Sequence, residues 1–255
     1  MNIEISVEER GGDRIATITI ANEAKLNTLT SDMIRQLRAG ARELALDDAL
    51  RAVILTGEGE KSFIAGANIE EMRDLDRISS RNFITTLHEA FLAVRDIPVP
   101  VIARIQGYCF GAGLELAASC DLRVAAETAK LGMPEPVIGL PSVIEAALLP
   151  SLVGWGKTRE LLYLGETITA TEAHAIGLVE RVVSPHALDA GIESILSRIL
   201  SGGAQAIRLQ KRLIRQWERV SLKDAVHAGI DCFADAYLTD EPRAMLAAWL
   251  ESRKK

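Results

Sequence analysis

The chain has 255 residues, 48% hydrophobic and 25% charged, which suffices for one sizeable core or one domain with a small companion. Its formal charge of −6 argues against nucleic acid as the main partner, because a phosphate-binding surface carries an excess of lysine and arginine. Three cysteines without C-x-x-C spacing offer neither a disulfide framework nor a zinc site, and no run of eighteen apolar residues offers a membrane span.

The charged, alternating start "MNIEISVEERGGDR" reads as structure and not as a leader, so a cytoplasmic protein with no membrane contact is expected. "IEISVEE" and "RIATITI" alternate with period two around Gly11-Gly12-Asp13, the pattern of a hairpin. "SDMIRQLRAGARELALDD" follows with helical spacing and a cap at Ser31 or Asp32. "RAVILTG" is a buried strand, "GEGEKSFIAGA" a Gly-rich loop, "NIEEM" a short helix, and Ser79–Arg95 a longer one. "VPVIARIQG" is the next strand, and "DLRVAAETAKLG" holds two more. Strand and helix alternate, which places the chain in the α/β class. Beyond Ser142 the patterns are helical, broken by Gly or Pro. We divide the chain into a core, 1–195, that carries the active site and a C-terminal helical module, 196–255.

Within "GYCFGAGLELAASCD" one acidic residue, Glu115, stands in an apolar, small-residue stretch. With Ala112 in the first turn of a helix, Glu115 follows at i+3 on the same face. A helix start offers unpaired N–H groups, and small residues at 111–113 would let a ligand approach them. Such an element supplies both an N–H for a developing oxyanion and a carboxyl group one turn away, the requirements of enolate chemistry. "KLGMPEPVIGLPS" carries a second glutamate, Glu135, between two prolines, in a rigid apolar loop that would raise its pKa. Two carboxyl groups in different surroundings can divide acid and base roles.

Taken together, these segments resemble the enoyl-CoA hydratase/isomerase (crotonase) superfamily over nearly the whole chain. "AGANIEEM" is similar to the first oxyanion-hole segment, with Ala67 as donor, and "GYCFGAGLELAASCD" to the second, with Ala112 as donor and Glu115 as the first catalytic glutamate. "LGMPEPVIG" is similar to the segment of the second, Glu135, and "GETITATEAHAIGLVERVV" to the junction with the C-terminal helices. The resemblance implies a spiral of ββα units, a C-terminal helical trimerisation module, and self-association as a trimer or dimer of trimers. It implies an acyl-CoA thioester substrate, with coenzyme A part of that substrate and no metal or redox cofactor. It further implies substrate contacts from Lys25, Leu26, Ala65, Gly66, Asn68, Ile69, Gly111 and Val143. Hydration of a 2-enoyl-CoA is the expected reaction. A double-bond isomerase is the alternative on the same scaffold, and a non-catalytic acyl-CoA binder or RNA-associated paralogue the alternative of another class.

The chain departs from the family in three places. Asn68-Ile69-Glu70 replaces a common Asp-Ile-Lys, removing a lysine that could hold CoA phosphates. Ala112 replaces a frequent glycine. "GLPSVIEAALLP" is one residue shorter than the usual Gly-rich loop and lacks its glycines, so Val143 and Ile144 are expected to narrow the site toward short acyl groups. Other features read as structural. Ser142-Val143-Ile144-Glu145 matches the S-x-x-E capping box, and Lys211, Arg212 and Arg215 match a solvated helix face. "GEGEKS" lacks the Gly-Lys-Ser of a P-loop, His88 has no second histidine at zinc-peptidase spacing, and no G-x-S-x-G occurs.

Overall fold

The computed structural model describes residues 1–254. Strands β1 (Asn2–Arg10) and β2 (Asp13–Ala21) form the expected hairpin, its turn made by Gly11 and Gly12, both at positive φ. Helix α1 (Ser31–Leu44) buries Met33, Ile34, Leu37, Ala41 and Leu44 along one face. Its cap is Thr30, one residue before the expected position, whose side chain accepts from the Met33 N–H at 3.2 Å. Then come β3 (Leu50–Gly57), β4 (Ser62–Ile64), the short α2 (Ile69–Met72) and α3 (Arg77–Arg95). Helix α3 starts two residues before the expected Ser79, because Asp76 caps it and Ser79 closes a capping box from within.

A third pair of strands, β5 (Val101–Ile105) and β6 (Tyr108–Phe110), leads into α4 (Ala112–Ser119), and β7 (Leu122–Ala126) and β8 (Lys130–Gly132) follow. Helix α5 (Leu149–Leu164) bends at Gly154, whose φ of +74° is not helical. The remaining elements are β9 (Thr167–Thr169), α6 (Ala170–Ala175), β10 (Arg181–Val183), α7 (Leu188–Ser201), α8 (Ala204–Trp217), α9 (Leu222–Ala236) and α10 (Glu241–Ser252). Strands β9 and β10 fall between the stretches beyond Ser142 that read as helical, β9 overlapping one of them only at Thr169.

The strands form two sheets, ordered β1-β2-β3-β5-β7-β10 and β4-β6-β8-β9. After the β1–β2 hairpin, both of whose strands join the large sheet, the pairs β3/β4, β5/β6 and β7/β8 each add one strand to the large sheet and one to the small, so the ββα spiral is present. Most of the core lies between the sheets and helices α1, α3 and α4, built on Phe63, Phe91, Leu114 and Leu116. The opposite face of the large sheet is covered by α7 through Leu188, Ile192, Ile195 and Leu196. The division placed after residue 195 therefore falls inside α7, a helix that packs on the core.

Helix α8 is tied down by polar groups. Lys211 is buried and donates to Val99 O at 2.8 Å and Asp121 Oδ2 at 2.7 Å, while Arg208 donates to the carbonyls of Asp47, Asp48 and Leu50. This corrects the reading of Lys211, Arg212 and Arg215 as a solvated face: only Arg212 is exposed, and Arg215 reaches Asp96 at 2.8 Å. Helices α9 and α10 bury little, and Ile230, Phe233, Leu246, Trp249 and Leu250 stand exposed. All three cysteines are free, and among the described residues no helix is long and apolar enough to cross a membrane.

Candidate active site

Three parallel strands of the small sheet end at one edge, and the residues that follow each of them meet there. Ile64 of β4 pairs with Cys109 of β6, so Ala67 and Ala112 stand equally far beyond paired positions. Cys109 also pairs with Leu131 of β8, and Glu135 follows that strand's end. The carboxyl ends of parallel strands are where α/β sheets form ligand crevices. A cavity of about 810 Å³ opens here, with Ala67, Gly111, Ala112, Glu115 and Glu135 in its wall. Across from these the wall is largely apolar, including Ile69 and Met72 of α2 and Phe83, Ile84 and Leu87 of α3.

The two backbone donors have no competing partners. Neither the Ala67 N–H nor the Ala112 N–H finds an acceptor among the described residues. Ala112 opens α4, where a helix leaves its first N–H groups unpaired. Gly111 precedes it at φ +52°, and a Cβ there would lie 2.4 Å from Glu135 Oε1. Glycine at this point permits both the backbone turn and the approach of the carboxylate. Gly113 has another role than the expected one. Its missing Cβ would sit 2.0 Å from the Ile64 carbonyl oxygen, so this glycine lets α4 pack onto β4 and does not open the backbone to a ligand. At its other end α4 is closed by the buried Arg123 guanidinium, which donates to Ala117 O and Cys120 O.

Glu115 is 4% exposed. Burial, and then the charge of Glu135, push its carboxyl up to about 8, while backbone N–H groups of Ala146 and Val143 act in the other direction. The Ala146 N–H donates to Val143 O at 2.9 Å and also lies 3.3 Å from Glu115 Oε1. Glu135 is half-buried in the 3-10 turn Glu135–Ile138, held by Pro134 and Pro136, and accepts from the Ser142 hydroxyl at 2.9 Å. The sequence reading places the raised carboxyl on Glu135; the structure places the deepest burial on Glu115.

The Ser142–Glu145 capping box does not form. Ser142 turns to Glu135, Val143 occupies the cap position, and Glu145 is buried against His88, with Nδ1 and Oε1 2.7 Å apart. Ile144 takes φ +39°, a left-handed conformation that costs a β-branched residue about 1–3 kcal/mol. It packs against the core, and only Val143 of the pair lines the cavity, so the narrowing expected of both comes from one.

Of the other expected contacts, Ala65, Gly66, Ile69, Gly111 and Val143 line the cavity, and Lys25, Leu26 and Asn68 do not. Lys25 lies 3.5 Å from Glu70 on the surface, Leu26 accepts the Ala65 N–H with its carbonyl, and Asn68 caps α2. Sequence reasoning misses Arg77 and Arg81, which share a cavity-facing stretch of α3 and have no carboxylate partner among the described residues. Their i,i+4 spacing is the available signal, and a helix read from Ser79 leaves Arg77 outside it. Among the described residues no cluster of His, Cys, Asp or Glu side chains is arranged to hold a metal ion.

Comparison with known proteins places the chain in one family. The sequence profile of the enoyl-CoA hydratase/isomerase family matches residues 10–255. A short-chain-enoyl-CoA hydratase of Clostridium acetobutylicum is 34% identical over 100% of this chain and 97% of its own length. A crotonyl-CoA hydratase of Syntrophomonas wolfei is 35% identical over 99% of this chain and 96% of its own. The crystal structure of an enoyl-CoA hydratase from Mycobacterium smegmatis superposes with a TM-score of 0.94 at 31% identity, covering 98% of this chain and 96% of that one.

Proposed function

The chain belongs to the enoyl-CoA hydratase/isomerase family, and from that premise we propose that Glu115 and Glu135 add water across the 2,3 double bond of a short-chain 2-enoyl-CoA. It is an enoyl-CoA hydratase, acting on an acyl-CoA thioester. The observation that carries the residue assignment is the convergence, at one strand edge, of two unpaired N–H groups and two carboxyl groups. The N–H groups of Ala67 and Ala112 receive the thioester oxygen as it gains enolate charge. Glu115 takes a proton from a water that attacks the β-carbon, and Glu135 supplies one to the α-carbon. The thioester itself makes the α-position acidic, so we assign no step to a metal or redox cofactor.

Two neighbouring carboxyl groups resist double ionisation, so the pair retains one proton at neutral pH. Hydration uses that state: one carboxylate to accept a proton and one carboxylic acid to give one. Burial and the neighbouring charge of Glu135 favour the protonated form of Glu115, and its ionised form is the base that the reaction needs. The Ala146 N–H then stabilises the Glu115 carboxylate as the base. For anionic groups of the coenzyme, the cavity wall offers Arg77 and Arg81 where the family's lysine is missing. The names of the Clostridium and Syntrophomonas relatives and the narrowing by Val143 support a short acyl group. Loss of crotonyl-CoA absorbance on adding the enzyme tests the reaction; a shifted 3-enoyl double bond with no hydration would favour an isomerase.

The shared proton also sets a pH limit. The profile of kcat/KM follows the free enzyme, and the rate requires the pair to hold its proton. A fall with unit slope above about pH 8 is therefore expected for crotonyl-CoA. A profile that stays level to about pH 9.5 would contradict a working pair with this pKa.

We further propose a closed homo-oligomer, a trimer or dimer of trimers, in the cytoplasm. The exposed apolar side chains of α9 and α10 support it, Phe233 being 70% and Trp249 51% exposed. Sedimentation should show a single species of at least three chains at micromolar concentration, and deletion from Pro242 onward should weaken it. A stable monomer before truncation would rule this out.

A further inference from the structure

We infer that His88, through Glu145, is a positioning residue for hydration: the pair latches the segment that holds both catalytic glutamates. The inference rests on the hydratase reading of Glu115 and Glu135.

The segment Ser142–Leu148 reaches each glutamate by a separate hydrogen bond. The Ser142 hydroxyl donates to Glu135 at 2.9 Å, and the Ala146 N–H, which closes the turn on Val143 O at 2.9 Å, also reaches Glu115 Oε1 at 3.3 Å. Its backbone is poorly suited to that task, because Ile144 is held at φ +39°. A strained conformation persists only where surrounding contacts impose it. Between Ser142 and Ala146, the outward-reaching polar contact is Glu145, 4% exposed, bonded to His88 of α3 at 2.7 Å. Its second oxygen, Oε2, is buried without a partner. Burying a carboxyl group with one oxygen unpaired is costly, so the bond to His88 is the contact that compensates it.

The surroundings agree. Arg95, two turns beyond His88 on α3, is a further favourable charge for Glu145, whereas Glu115 and Glu145 disfavour each other's ionisation. The His88 side chain is 44% exposed at one end of the pair, and Glu145 is outside the cavity wall, so neither touches substrate. Their action is on geometry. A hydrogen bond spanning α3 and the segment holds Ala146 against Glu115 and Ser142 against Glu135, at the distances that proton transfer requires.

The test compares His88→Ala, His88→Asn and wild type. Asparagine restores a donor near the position of Nδ1, while alanine restores nothing. His88→Ala is expected to lower kcat for crotonyl-CoA about 10- to 100-fold with KM changed less than about threefold, and His88→Asn to recover most of the loss. The alkaline limb of kcat/KM should move to higher pH in His88→Ala, because Glu115 loses backbone N–H groups that hold its pKa down. Amide hydrogen exchange at Ala146 should quicken in His88→Ala and return toward wild type in His88→Asn. Unchanged kcat, limb and exchange in His88→Ala would overturn the latch, as would a loss of kcat that follows thermal stability alone and is not repaired by asparagine. If wild type fails to hydrate crotonyl-CoA, the hydratase reading fails by itself, and exchange at Ala146 still decides whether the latch exists.

Discussion

Glu115→Gln should nearly abolish hydration and yet make the protein more stable. The amide keeps the shape of the carboxyl group and cannot exchange a proton with water, so a loss of at least ~10²-fold in kcat is expected. Glu135→Gln should lose as much. On stability the two part company. The Glu115 carboxyl is held near pH 8 by burial against an ordinary value of 4.5. A carboxyl whose folded pKa is raised contributes stability fully below its unfolded pKa and loses it as pH climbs through the folded value. Between pH 4.5 and 7 that loss reaches about 3 kcal/mol. Glutamine does not titrate, so Glu115→Gln should match wild type near pH 4.5 and melt several degrees higher at pH 8. Melting curves at both pH values, with crotonyl-CoA assays beside them, check this. Near-wild-type rates in Glu135→Gln would remove that residue from the mechanism, and equal melting of Glu115→Gln and wild type at pH 8 would refute the burial cost.

The second large effect is expected from one methyl group. In Gly113→Ala the new Cβ would stand 2.0 Å from the Ile64 carbonyl oxygen and 2.9 Å from its Cβ. Neither neighbour is a flexible side-chain tip, since Ile64 is buried in β4 and β4 is paired to β6. Helix α4 must shift instead, carrying the Ala112 N–H and Glu115 with it. Overpacking of this kind costs about 1–3 kcal/mol, and displacing a reacting group by about 1 Å costs ~10²-fold in rate. The variant should therefore melt lower and hydrate crotonyl-CoA at least about 100-fold more slowly. A rate within threefold of wild type would mean that α4 packs more loosely than these contacts indicate.

The sequence exposed the parts of this molecule whose signals are local. Period-two alternation marked β1 and β2, an apolar run marked β3, and Met33, Leu37 and Leu44 marked the inner face of α1. The two glutamates proposed as catalytic and the two N–H donors proposed beside them stand in motifs that resemble one family. What escaped were features whose cause is tertiary. Strands β9 and β10 have three residues each, too few to display a period, and exist because β8 and β7 offer edges to them. Lys211 sits in a basic run, and only the placement of Asp121 and the Val99 carbonyl makes it a buried anchor. Glu145 stands at capping-box spacing from Ser142, but His88 and Glu135 lie close enough to take both side chains elsewhere. Local chemistry proposed a partner, and packing supplied a better one.

The pairing of β4, β6 and β8 has a consequence for how such a site can change over generations. Each strand delivers a different functional group from its own loop: Ala67, Ala112 with Glu115, and Glu135. An insertion or deletion in one loop moves one group, while the ladder of hydrogen bonds keeps the other two in register. The loop after Glu135, which carries Val143 in the cavity wall, can be edited in this way. A change in that loop can alter what surrounds the proposed reacting carbon without rebuilding the pair of N–H donors on the other two strands.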